Sequence, residues 1–156
     1  MLIYAGGYSV DCAPVSRNET ETGVFPSLPR LDGVRVLVVD DEPDARRLMK
    51  RFLEIRGASV LTAANAQEAL ETLADEVPDV VLSDIGMPVQ DGYDFIRHVR
   101  RLAPEEGGDV PAAAVTAFTR ADDRRRALLS GFDLHLPKPV DPMQLLTAVA
   151  RLAGRV

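Results

Sequence analysis

Five polar residues close apolar runs along the chain, and their types fit one kind of chemistry. Asp40 and Asp41 follow Val36-Leu37-Val38-Val39, and Asp84 follows Val80-Val81-Leu82-Ser83. Thr116 ends the run 110–115, and Lys138 follows the run 132–137. Three carboxylates brought together repel one another and resist joint ionisation. A hard divalent cation bound through oxygen removes that conflict, and Mg²⁺ is the natural choice. Thr116 and Lys138 are then free to hold an anion, such as a phosphoryl group on Asp84.

The elements that must position these residues alternate regularly. A first strand is expected at about 34–39, after the turn signal Asp32-Gly33. Pro43 suits the first turn of a helix that runs to about Arg56, with Ala45, Leu48, Met49, Phe52 and Leu53 on its inner face and Gly57 as its stop. A second strand at 59–63 precedes a helix with Ala66, Ala69, Leu70 and Leu73 inward. The third strand carries Asp84, and the next helix, about 92–102, turns Phe95, Ile96 and Val99 inward. The fourth strand ends at Thr116, a helix begins at Asp122-Asp123 and stops near Gly131, and a short fifth strand covers about 133–136. Pro142 opens a last helix with Leu145, Leu146, Val149 and Leu152 inward.

Strands and helices in strict alternation argue an α/β fold, a parallel sheet covered on both faces. Crossovers in such a fold are right-handed. Ligands bind beyond the carboxyl ends of the strands, at the switch point of the winding. The doubly wound order 2-1-3-4-5 sets the first and third strands side by side and so joins Asp40, Asp41 and Asp84.

The chain of 156 residues is 46% hydrophobic, with net charge −6 and a pI of about 4.9. That size suits a single domain, and the acidity disfavours nucleic acid as a partner. The single cysteine, Cys12, excludes an intrachain disulfide. No apolar stretch spans a membrane and the N-terminus does not read as a signal peptide, so the expectation is a cytoplasmic protein without membrane contact. Residues 1–30, rich in Gly, Pro and polar residues without sustained period, read as a flexible N-terminal tail or linker, and 31–156 as the folded domain. Arg46, Arg47, Lys50 and Arg51 fall off the inner face of the first helix, either as a solvated surface or as a docking patch for an acidic partner.

From about Val34 to Leu152 the chain resembles the receiver domain of two-component response regulators, a CheY-like family. The resemblance rests on Val38-Val39-Asp40-Asp41-Glu42, Ser83-Asp84-Ile85-Gly86-Met87-Pro88, Asp91-Gly92, Val115-Thr116-Ala117 and Leu136-Pro137-Lys138-Pro139, all in order. It implies a flavodoxin-like (βα)5 sandwich. It implies that Asp84 is the phosphoacceptor, charged from a phosphohistidine on a histidine kinase or histidine phosphotransfer protein. Asp41, Asp84 and the Gly86 backbone carbonyl are then the direct Mg²⁺ ligands, with Asp40 acting mainly through water. Thr116 and Lys138 bond the phosphoryl oxygens, and a cis bond between Lys138 and Pro139 is typical of the family. Such a protein is not an enzyme in the usual sense; it catalyses only its own phosphorylation and dephosphorylation. Output is expected through protein contacts with a downstream partner, at the face of the fourth helix, fifth strand and fifth helix, where Arg124-Arg125-Arg126 are also expected. Leu31-Asp32-Gly33 before the first strand, and the chain's end after the last helix, are similar to the C-terminal receiver of a hybrid sensor histidine kinase; a stand-alone regulator fits equally.

The chain departs from the family pattern at His135, where the family has Tyr or Phe as a switch; His135 is the expected switch residue together with Thr116, or else a plain, partly exposed histidine. In the family, the positions of Gly86 and Phe118 tune loss of phosphate by shaping water access; a bare Gly86 with Phe118 as a shield predicts a long-lived phosphoaspartate. Two other functions fit parts of the pattern. A Mg²⁺-dependent phosphohydrolase with Asp84 as nucleophile needs a general acid two residues later, where Gly86 cannot move a proton. A receiver-like interaction module that never takes phosphate has no need of all five polar residues.

Overall fold

The apolar runs pair as a five-stranded parallel sheet in the order β2-β1-β3-β4-β5. A computed structural model describes residues 28–155. The strands are β1 (Arg35–Val39), β2 (Ser59–Ala63), β3 (Val80–Ser83), β4 (Ala112–Thr116) and β5 (Leu134–Pro137). The helices are α1 (Pro43–Ile55), α2 (Ala66–Asp75), α3 (Gly92–Arg100), α4 (Ala121–Ser130) and α5 (Pro142–Leu152), and a 3-10 turn covers Pro104–Glu106. This is the doubly wound α/β sandwich expected from the sequence.

Alternation along the inner strands builds two cores, one on each face. Leu37, Val39, Val81, Ala112 and Ala114 meet Ala69 and Leu73 of α2, Phe95, Ile96 and Val99 of α3 and Ala127 of α4. Val36, Val38, Val80, Leu82, Ala113 and Val115 meet Met49 and Leu53 of α1 and Leu145, Leu146 and Val149 of α5. Strands buried on both faces read as continuous apolar runs, which is why β1, β3 and β4 were plain in the sequence.

Helix ends follow local chemistry. Pro43 opens α1. The side chains of Asn65 and Asp91 accept the peptide N–H of Glu68 and Asp94, capping α2 and α3. Gly92 begins α3 because nothing larger fits: a Cβ there would lie 2.4 Å from the Asp84 carbonyl oxygen.

Two expectations need correction. Leu48 does not share the inner face of α1; it is 48% exposed, while Met49 and Leu53 carry the packing. Arg126 does not lie with its neighbours on the face shared by α4, β5 and α5; its guanidinium carbon stands 4.0 Å from the centroid of the Tyr93 ring on α3. The reading of 1–30 as a flexible tail falls, for 1–27, outside the described residues. The Arg56 guanidinium donates to the carbonyls of Leu28 and Pro29, so these two residues lie against the end of α1.

Candidate functional site

Register places the carboxylates. Val39 pairs with Ser83 across β1 and β3, so Asp40 and Asp84 are the next residues on adjacent strands. The Asp84 N–H donates to the Val39 carbonyl at 2.8 Å. One oxygen from each of Asp40, Asp41 and Asp84 falls within a set no wider than 4.8 Å. Asp40 and Asp84 are buried and Asp41 is exposed. The oxygens thus form a hard donor set that is open on one side, which suits a divalent cation that keeps some of its water.

The other two polar residues arrive on β4 and β5. Thr116 pairs with Pro137, and the Lys138 N–H donates to the Thr116 carbonyl at 3.0 Å. The Lys138–Pro139 bond is cis. Asp41, Glu42, Asp84, Gly86, Thr116, Ala117, Phe118 and Lys138 line a single cleft of about 320 Å³. All five residues singled out in the sequence therefore meet at one edge of the sheet.

Their state is more engaged than the sequence suggested. Lys138 is not free: its ammonium lies 2.7 Å from Asp40 Oδ2 and 3.5 Å from Asp84 Oδ2. Burial pulls the lysine pKa down, but the bond to Asp40 and the charges of Asp84 and Asp40 outweigh it, and the net shift is upward. Burial raises the Asp84 pKa and the Asp40 charge adds to this, while Lys138 and the N–H groups of Ile85 and Gly86 oppose it. Those two N–H groups donate to Asp84 Oδ1 at 2.8 and 3.4 Å. The Thr116 hydroxyl is buried and accepts the N–H of Phe118 at 3.0 Å. The Phe118 carbonyl in turn accepts from His135 Nε2 at 2.9 Å.

This edge also has relatives. A family model for the response regulator receiver domain matches residues 36–150. The chain belongs to the receiver domain family. A receiver domain is a phosphoacceptor in two-component signalling, and that is the functional class of this chain. It is 48% identical over 114 residues to an uncharacterised 14.6 kDa protein of Leptolyngbya boryana, covering 73% of this chain and 86% of that one. It is 39% identical over 125 residues to the sensor histidine kinase RcsC of Salmonella typhi, covering 80% of this chain but 13% of the kinase. The receiver domain of the sensor histidine kinase PA1611 of Pseudomonas aeruginosa PAO1, solved with magnesium in its active site cleft, superposes with a TM-score of 0.71. Identity there is 30%, over 78% of this chain and 98% of that one. No helix among the described residues is long and apolar enough to cross a membrane.

The sequence reading missed Arg46, which it grouped with the basic outer face of α1. Its guanidinium instead donates to the Asp40 carbonyl. A helix pattern alone does not separate Arg46 from Arg47.

Proposed function

We propose that Asp84 accepts a phosphoryl group from a phosphohistidine on a histidine kinase or phosphotransfer protein. The P–N bond to the imidazole breaks as a P–O bond to the Asp84 carboxylate forms, and the imidazole leaves with its electron pair. The observation that carries this reading is the Asp40, Asp41 and Asp84 oxygen set with the Lys138 ammonium 3.5 Å from Asp84. Phosphoryl transfer asks a protein for positioning and charge neutralisation more than covalent help.

Asp41, Asp84 and the Gly86 carbonyl would hold Mg²⁺ directly, with Asp40 behind them. The ion would supply positive charge where oxygens gain negative charge in the transition state. Lys138 adds a positive charge 3.5 Å from Asp84, and the N–H groups of Ile85 and Gly86 orient that carboxylate. Thr116 accepts the Phe118 N–H, which leaves its own O–H to donate to a phosphoryl oxygen. The domain acts on itself alone, catalysing its own phosphorylation and dephosphorylation. Output runs through protein contacts around a groove of about 370 Å³ between β5 and α5, which His135 and Met143 help to line. His135 is placed to report the change because it holds the loop that Thr116 also holds.

Incubation with Mg²⁺ and acetyl phosphate, followed by intact mass measurement, tests the reading. One added phosphoryl group in the parent and none in Asp84→Asn supports it. An adduct retained in Asp84→Asn overturns Asp84 as acceptor. No adduct from either acetyl phosphate or a phosphohistidine donor favours an interaction module that takes no phosphate.

A further inference from the structure

We infer that Arg46 is a positioning residue for the carboxylate pair Asp40-Asp41, acting through the Asp40 backbone carbonyl and so setting the affinity of the site for Mg²⁺. The inference rests on the Mg²⁺ site proposed above and extends it to a residue outside the cleft lining.

Asp40 is fully buried, and each of its polar groups has a partner. Its N–H donates to the Ala63 carbonyl at 3.1 Å. Its Oδ1 accepts the Glu42 N–H at 2.9 Å, and its Oδ2 accepts from Lys138 at 2.7 Å. Its carbonyl oxygen accepts from Arg46 Nη1 at 2.6 Å. Three of these contacts come from main chain or from Lys138. Arg46 supplies the fourth, reaching back from the first turn of α1, where its own N–H is bonded to the Glu42 carbonyl.

The carbonyl that Arg46 holds belongs to the peptide plane joining Asp40 to Asp41. That plane determines where the Asp41 side chain departs. The Asp41 carboxylate is exposed, and no hydrogen bond to it is present among the described residues. Asp40 is thus held by its own contacts, whereas Asp41 is aimed mainly by the backbone that Arg46 clamps. The positive charge of the guanidinium does not itself favour a cation, so a loss of Mg²⁺ affinity on its removal reports positioning rather than charge. Removing groups that orient metal ligands without touching the metal commonly costs about ten- to a hundredfold in affinity.

The test is Mg²⁺ titration of the full chain by calorimetry, with parallel NMR spectra to check folding. The variants are Arg46→Met, Arg46→Gln and Arg46→Lys, with Arg101→Met as a control that removes one exposed positive charge on the C-terminal side of α3. The expected result is a dissociation constant raised roughly tenfold in Arg46→Met and Arg46→Gln. Arg46→Lys should recover part of the loss, and Arg101→Met should stay within twofold of the parent. Arg46→Met that folds and binds Mg²⁺ within twofold of the parent overturns the inference; should that variant not fold, Arg46→Gln decides by the same threshold. An equal loss in Arg101→Met also overturns it, because the effect is then not specific to the contact with Asp40. A parent that binds no Mg²⁺ overturns the metal site itself, whereas a binding parent with unchanged Arg46 variants overturns this inference alone.

Discussion

The Lys138 ammonium lies 2.7 Å from Oδ2 of Asp40, a carboxylate with no solvent exposure, and the pair joins the ends of β5 and β1 across 98 residues. Without a cation, Lys138 is the counterion of the site. It serves Asp40 first and Asp84, at 3.5 Å, second. The group expected to hold the phosphoryl oxygens therefore also keeps the cluster stable beforehand.

Lys138→Ala leaves a buried charge uncompensated, and removing one partner of a buried pair costs about 3–5 kcal/mol. Lys138 is partly exposed, so the lower end is expected, about 3 kcal/mol by chemical denaturation without Mg²⁺. Added Mg²⁺ should recover part of that loss, because a cation binding the native state stabilises it by mass action. A variant as stable as the parent in the absence of Mg²⁺ would show that the ion pair contributes nothing.

Asp84 gives a pH dependence of defined sign. Its pKa in the folded chain is raised, chiefly by burial, above the usual carboxylate value of 3.8. Between that value and the raised one, the folded state binds more protons than the unfolded state. Stability therefore falls as pH rises through this window. Asp84→Asn removes the penalty. In the absence of Mg²⁺ it should unfold at higher temperature than the parent at neutral pH, and the gap should close as pH falls below the usual carboxylate range. A gap that widens on acidification contradicts the shift.

Much of this arrangement was legible in the sequence, because strands buried on both faces leave uninterrupted runs such as Val36 to Val39 and Val80 to Leu82. The residue after each run then marks the functional edge. What was not legible depends on rotation and distance. A helical stripe shows that Met49 and Leu53 face inward, but whether Leu48 at its margin is covered depends on the packing around α1. Arg46 and Arg47 are neighbours of one type, and only the closure of the turn after β1 makes Arg46 a partner of Asp40. Arg126 departs from Arg124 and Arg125 because the Tyr93 ring lies beside it. The Lys138–Asp40 pair joins residues too far apart for any local pattern to reveal.

Val89, in the loop between β3 and α3, has φ of +70°, a conformation that β-branched residues avoid. Its side chain is wholly exposed, so its removal forfeits no packing. Asparagine tolerates this backbone without the unfolded-state entropy of glycine. Val89→Asn should stabilise the chain by about 1 kcal/mol, read by denaturant midpoint. Destabilisation would mean that the valine side chain contributes to folding after all.

Under the proposed function, Phe118 is the residue expected to govern the lifetime of the phosphorylated state. Its Cζ lies 3.3 Å from where a Cβ on Gly86 would stand, so the ring occupies the space that the glycine leaves open beside Asp84. The backbone beneath the ring is held at both ends, with its N–H on Thr116 Oγ1 at 3.0 Å and its carbonyl on His135 Nε2 at 2.9 Å. Because the carbonyl only accepts, Nε2 is the donor of that bond. A ring so placed restricts the approach of water to a phosphoaspartate, and Gly86 offers no side chain to position one. Phe118→Ala should hydrolyse roughly tenfold faster, equivalent to about 1.4 kcal/mol off the barrier. His135→Ala, which frees one end of the loop but keeps the ring, should shorten the lifetime less. Decay of the phosphorylated mass in Mg²⁺ buffer measures both. Equal decay in the parent and Phe118→Ala would remove the ring from water exclusion, and faster decay in His135→Ala than in Phe118→Ala would place the control in the loop backbone instead.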